Sequence, residues 1–318
     1  VKSPVSGKIT TPPVRETGRD GTTTTGTGGS SGARLLDPRF LARLESLQLG
    51  TRRRLAGHFA GEHRSTRHGA SPDFADYRQY HPGDDFRRID YFLYARLDVL
   101  LLKLYEAEDD LHLRLLVDTS ASMATAGKLE MAKRVAAALG FVALTRRDPV
   151  SVHTFPLQRA APRFAGRGAV PALFGHLAGL EASGDTAFAA AVSSLLARPG
   201  PSGLTVVVSD LLTAEWEDAL SRLPSRGGDV MVVHVLAAEE LHPTLIGDLE
   251  LIDREGGGRV VVSLAADTLK EYEQATAAWL ERVRDRCAHV GAGYVRILAE
   301  DDLESALLGA WRSEGALR

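Results

Sequence analysis

Asp118-Thr119-Ser120-Ala121-Ser122 places one carboxylate and two hydroxyls at alternate positions, directly after a short apolar run over 111–117. Two further polar spots stand at comparable junctions: Gly184-Asp185-Thr186 just before a helical pattern, and Ser209-Asp210 directly after the predicted strand residues 205–208. Asp118, Ser120, Ser122, Thr186 and Asp210 together offer oxygen and nothing else. That donor set suits a hard cation such as Mg²⁺, which wants near-octahedral oxygen ligands and releases its waters reluctantly. Mn²⁺ or Ca²⁺ is an acceptable substitute on the same grounds. If only some of the five bind directly, a coordination position stays open to water or to a carboxylate of a protein partner, and the site becomes adhesive.

Other uses of these residues have to be weighed. Asp and Ser after a strand often do no more than cap the next helix, so Asp-x-Ser-x-Ser alone is a weak signal, strengthened here by the other two spots. Asp118 also stands where the nucleophile of a metal-dependent phosphoester hydrolase would stand. Such an enzyme needs more than that: Ser120 occupies the place of a second aspartate, and no general base is evident in the sequence. The expectation is a non-enzymatic binding module, with the hydrolase as the alternative.

The elements that must position these residues alternate between strand and helix. Strands are predicted over 111–117, 150–155, 205–209, 230–236 and 294–298, and helices over 128–145, 170–180, 188–196, 215–223, 266–289 and 303–311. The runs 249–253 and 260–264 predict a hairpin. Several strands are continuously apolar, which indicates a mostly parallel sheet covered by helices on both faces. In such open α/β sheets, ligands collect beyond the carboxyl ends of the strands, where strand order reverses. An earlier helix is predicted over 35–49, starting at Asp37-Pro38, with Leu36, Phe40, Leu44 and Leu47 at helical spacing.

The totals narrow the function classes. The chain has 318 residues, a quarter of them charged, with a formal net charge of −3, which argues against a chain-wide attraction to nucleic acid. A single cysteine, Cys287, rules out an intrachain disulfide and a thiolate zinc cluster; its expected role is a small buried hydrophobe. The longest apolar run, 135–145, falls well short of the roughly 20 residues needed to span a bilayer. No secretory signal pattern is visible, and a cytoplasmic protein with no direct membrane insertion is expected. Residues 1–32 are dominated by Thr, Gly, Ser and Pro, the composition of a flexible tail.

At this point the residues resemble known families. Asp118-x-Ser120-x-Ser122, then Thr186, then Asp210, look like the metal-ion-dependent adhesion site of von Willebrand factor A-like domains, with none of the five positions missing. Upstream, Gly61-Glu62-His63-Arg64-Ser65, Asp73-Phe74, Asp76-Tyr77-Arg78, Tyr80, Pro82-Gly83-Asp84-Asp85 and Arg88-Ile89-Asp90-Tyr91 resemble the bacterial family of domain of unknown function 58. Tyr91 stands where that family commonly has Trp. The resemblance covers roughly residues 35–315. After the tail at 1–32, it implies an N-terminal extension (33–107) and a von Willebrand factor A-like, Rossmann-like α/β domain (108–318). It further implies pairing with a MoxR-type AAA+ ATPase in a chaperone-like or cofactor-maturation system.

Within the extension, Arg52-Arg53-Arg54, Arg64, Arg67 and Arg78 are interleaved with carboxylates, so internal ion pairs are expected rather than a nucleic-acid patch. His58, His63, His68 and His81 show no zinc-enzyme spacing. The segment 73–90 is expected to form a rigid clip, with Arg78 and Arg88 pairing with carboxylates and Tyr77 and Tyr80 packing on the sheet.

Overall fold

The computed structural model describes residues 35–47 and 74–307, apart from 82–83, 85, 106–110, 157–160, 199, 201–202, 244–246, 253–257 and 265. The tail at 1–32, Arg52–Arg54, Arg64, Arg67, His58, His63, His68, the side chain of Arg88 and the last expected helix beyond 307 lie outside the described residues. The chain divides into two compact units, one within residues 56–110 and one formed by the chain before and after it.

Helix α1 (Pro38–Leu44) starts as its sequence dictates. The Asp37 carboxylate accepts the Arg39 amide at 2.7 Å, and proline occupies the first turn, where its missing N–H does no harm. Leu36, Phe40, Leu44 and Leu47 are all buried in the core of the larger unit.

The smaller unit pairs β1 (Phe74–Gln79) antiparallel with β2 (Leu101–Tyr105), with α2 (Tyr91–Leu97) between them in sequence. The expected clip is held by carboxylates. Asp84 accepts Arg78 Nη2 and the His81 amide, both at 2.9 Å. Asp90 accepts the Phe92 and Leu93 amides at the start of α2 through Oδ1, while Oδ2 accepts the Tyr77 hydroxyl at 2.9 Å.

The larger unit runs β3 (His112–Asp118), α3 (Lys128–Thr145), β4 (Val150–Phe155), β5 (Arg163–Phe164), α4 (Val170–Ala178), α5 (Phe188–Leu196) and β6 (Gly203–Ser209). It continues through α6 (Trp216–Arg222), β7 (Gly228–Leu236), α7 (Ala238–Leu241), the hairpin β8 (Gly247–Ile252) and β9 (Arg259–Leu264), α8 (Ala266–His289) and β10 (Gly293–Leu298). Six strands form one sheet in the order β10-β7-β6-β3-β4-β5, parallel throughout except for the short edge strand β5. The hairpin β8–β9 is separate and antiparallel, as its two apolar runs predicted.

Burial on both faces explains the continuous apolar strands. Leu113, Leu115 and Val117 of β3 pack with α3 and α4 on one side, while Leu116 packs with Val192, Leu220 and Val283 on the other. A fully buried leucine of this kind contributes about 1.5–3 kcal/mol. Helix α3 is buried almost end to end, and Gly140 lets α4 come close: a Cβ there would stand 2.4 Å from Leu173 Cδ2. Among the described residues, no helix is long and apolar enough to cross a membrane.

Candidate metal centre

The sheet order creates the site. From β3 the chain goes outward to β4 on one side, and from β6 it goes to β7 and β10 on the other, so β3 and β6 are neighbours whose connections diverge. The crevice beyond their carboxyl ends is where doubly wound sheets bind ligands. Asp118 ends β3 and Asp210 follows β6. Both are fully buried, as are Ser120 and Ser122.

Hydrogen bonds fix Asp118 from two directions. Its Oδ1 accepts the Ser120 amide at 2.9 Å, turning the chain sharply, and its Oδ2 accepts the Ser209 hydroxyl at 2.6 Å. Ser209 in turn accepts the Leu211 amide at 2.9 Å. Leu211 sits at φ 51°, a left-handed conformation uncommon for leucine and of the sort found where a site imposes it. Ser120 Oγ and Ser122 Oγ lie 2.8 Å apart. Two hydroxyl oxygens this close could serve as neighbouring ligands of one small hard cation.

The loop that carries Thr186 is tied to the Asp118 turn through its backbone. The Ala121 amide donates to the Gly184 carbonyl at 2.9 Å, and the Ser183 amide donates to the Thr119 carbonyl at 2.8 Å. These bonds lace the loop before α5 to the Asp118 turn, and half-buried Thr186 follows two residues later. Gly184 adopts φ 75° in that loop, a conformation glycine takes without strain.

Asp210 has a partner that its sequence neighbourhood does not suggest. Its Oδ1 accepts the Leu212 amide at 3.1 Å, and its Oδ2 accepts the ammonium of Lys128 at 2.7 Å. Lys128 also donates to Glu240 Oε1 at 2.5 Å and is fully buried. Burial opposes the charged lysine, but the carboxylates of Asp210 and Glu240 outweigh it and raise its pKa above the ordinary value.

Beneath Asp210 lies His234, fully buried on β7. Its Nε2 is 3.0 Å from the Asp210 carbonyl and its Nδ1 is 2.9 Å from the Tyr294 hydroxyl. A carbonyl can only accept, so Nε2 carries the proton and Nδ1 accepts from Tyr294. Burial pushes His234 down to about 4 and the Tyr294 hydroxyl up to about 12, so both remain neutral.

Asp210 and Glu240 both hold the Lys128 ammonium, an excess of one negative charge, and Asp118, which feels the charge of Asp210, adds a second when it is ionised. A divalent cation would neutralise that excess. Burial and then the charge of Asp210 push the Asp118 carboxyl up to about 7. Among the described residues no three His, Cys, Asp or Glu side chains gather as a metal-binding group. A cation would therefore depend on the hydroxyls, and the oxygen-only donor set with its charge excess fits a hard divalent ion. Lys128, Glu240 and His234 are site residues that the sequence reading did not pick out. The one available signal was Lys128 at the start of a buried helix, where the dipole disfavours a cation unless a partner is waiting.

Residues 76–282 match the family described as protein of unknown function DUF58, and the chain belongs to that family. The uncharacterized protein Rv1480 of Mycobacterium tuberculosis H37Rv is 26% identical over 296 residues, covering 88% of this chain and 92% of that protein. The uncharacterized protein Mb1516 of Mycobacterium bovis matches with the same figures. Among solved structures, the conserved hypothetical protein BatB from Bacteroides thetaiotaomicron is similar at 17% identity and a TM-score of 0.39, covering 64% of this chain and 98% of that one. An aerotolerance-related membrane protein from Bacteroides fragilis is similar at 20% identity and a TM-score of 0.38, with the same coverage.

Proposed function

We propose that this chain is a non-enzymatic, metal-dependent protein-binding module of the von Willebrand factor A-like kind. Asp118, Ser120, Ser122, Thr186 and Asp210 would hold Mg²⁺ or a similar divalent cation, and an acidic side chain of a partner would complete its coordination. The observation that carries this reading is the meeting of Asp118, Ser120, Ser122 and Asp210 at the divergence of β3 and β6, all buried and together too negative for Lys128 to balance. The bound ion supplies a Lewis-acidic point for a carboxylate. The protein's part is to hold the ligands rigid: Ser209 and the Ser120 amide orient Asp118, and His234 steadies the Asp210 backbone.

The partner in this proposal is a MoxR-type AAA+ ATPase or its client, in a chaperone-like or cofactor-maturation system in the cytoplasm. Calorimetry with Mg²⁺ and Mn²⁺ tests the metal: the wild type gives binding heat and Asp118→Ala gives none. Equal heats from both proteins would count against it. Affinity capture from the native cell, with and without chelator, tests the partner, which is retained only with metal.

Lys128 lends one observation to the hydrolase alternative, since a phosphoester hydrolase uses a cation beside its aspartate. The ammonium is turned away from that use, being unexposed and held by two carboxylates. A screen with p-nitrophenyl phosphate and Mg²⁺ separates the readings: turnover abolished by Asp118→Asn would favour the hydrolase.

A further inference from the structure

An ammonium group is strongly hydrated, and taking one out of water is unfavourable unless it is paired and hydrogen-bonded. Lys128 is nonetheless unexposed, and it sits at the first residue of α3, where the positive end of the helix dipole adds repulsion. Its two carboxylate partners come from separate elements: Asp210 after β6 at 2.7 Å and Glu240 of α7 at 2.5 Å. Glu240 is itself held, its Oε2 accepting the Ala237 amide at 3.0 Å. The ammonium thus takes an oxygen of the very carboxylate that a divalent ion in the crevice would use.

We propose that Lys128 is a resident competitor for the divalent cation, satisfying Asp210 in the metal-free protein and holding metal affinity down. This rests on the metal-binding reading above. Two consequences follow from charge alone. The metal-free chain folds, because Asp210 is not left as an unpaired buried anion. The divalent ion meets a positive neighbour in a low-dielectric pocket, so it binds weakly alone and firmly only when a partner's carboxylate joins it. Glu240 sets the balance, since its charge offsets part of the ammonium's.

The test is calorimetric titration of Mn²⁺ into the full chain as wild type, Lys128→Met and Glu240→Gln, with thermal unfolding of each in chelator and in Mn²⁺. Lys128→Met is expected to bind Mn²⁺ at least about tenfold more tightly than the wild type. It should also unfold at a lower temperature in chelator and recover that loss with Mn²⁺. Glu240→Gln, which leaves the full positive charge beside the site, is expected to bind severalfold more weakly. Affinity in Lys128→Met equal to or below the wild type overturns the competitor role and leaves the metal-binding reading standing. Binding by Lys128→Met with a silent wild type supports the competitor role and removes metal binding from the native chain. Silence from both overturns both. If Lys128→Met does not fold, Glu240→Gln decides: affinity equal to or above the wild type overturns the proposal.

Discussion

The Nζ of Lys128 stands 2.7 Å from Oδ2 of Asp210, and neither side chain reaches solvent. Two charges so placed stabilise each other against a large desolvation penalty, and removing either takes from the other its buried countercharge at this contact. Asp118, by contrast, is paired with neutral donors, the amide and hydroxyl of Ser120 and the Ser209 hydroxyl. The two aspartates of one site therefore live in different electrostatic conditions.

That difference predicts unequal losses on substitution. With chelator present, Asp210→Ala should lose about 3–5 kcal/mol, the penalty of a broken buried pair. Asp118→Asn should lose clearly less, because burial and Asp210 already disfavour its anion. Urea denaturation of both variants measures the gap, and equal losses would refute the account.

His234→Phe keeps a ring against Trp279 but deprives the Asp210 carbonyl and the Tyr294 hydroxyl of their partner. A loss of about 1–3 kcal/mol is expected from the stranded groups. In the wild type, nitrogen-detected NMR should find His234 as the single Nε2–H tautomer.

Cys287 is buried on α8, and burial pushes its thiol up to about 12 from an ordinary 9. The folded chain should resist a thiol reagent at neutral pH and react promptly in denaturant. The sign of the pH effect follows: between 9 and 12 the unfolded thiol ionises and the folded one does not, so stability falls as pH rises through that window. Cys287→Ala should show a shallower alkaline decline, measured by thermal unfolding from pH 8 to about 11.

Gly228 opens β7 at φ 126°, and a Cβ there would stand 2.2 Å from the Gly203 carbonyl oxygen. Gly228→Ala should lose more than about 2 kcal/mol, because backbone strain and a backbone clash add at one position. Chemical denaturation gives the value directly, and a loss under about 0.5 kcal/mol, the range of an ordinary surface change, would contradict it.

The fold was legible because its signals are periodic and local. The apolar runs at 111–117 and 150–155 and the helical pattern over 128–145 coincide with β3, β4 and α3. The strands of the smaller unit were not: β1 reads Phe-Ala-Asp-Tyr-Arg-Gln, too polar to announce itself, and shares its residues with hydrogen bonds that its carboxylate neighbours impose. Of the candidate ligands, Asp118, Ser120 and Ser122 were legible as a motif, and Asp210 and Thr186 by their places after β6 and before α5. Lys128 and Glu240 were not, since 112 residues separate them and only the folded chain gives each a reason to be charged. His234 was hidden inside an apolar strand, where one polar letter among valines reads as noise.

Ser209 reaches back across 91 residues to hold Asp118. During synthesis, β3 emerges with its aspartate long before the strand that will lie beside it exists, and β4, β5 and three helices must be made in between. A truncated or stalled chain ending before β6 therefore presents the Asp118 turn without its opposite wall. In the proposed binding role, a partner that engages this crevice would therefore distinguish a chain whose β6 has joined β3 from one that still lacks it.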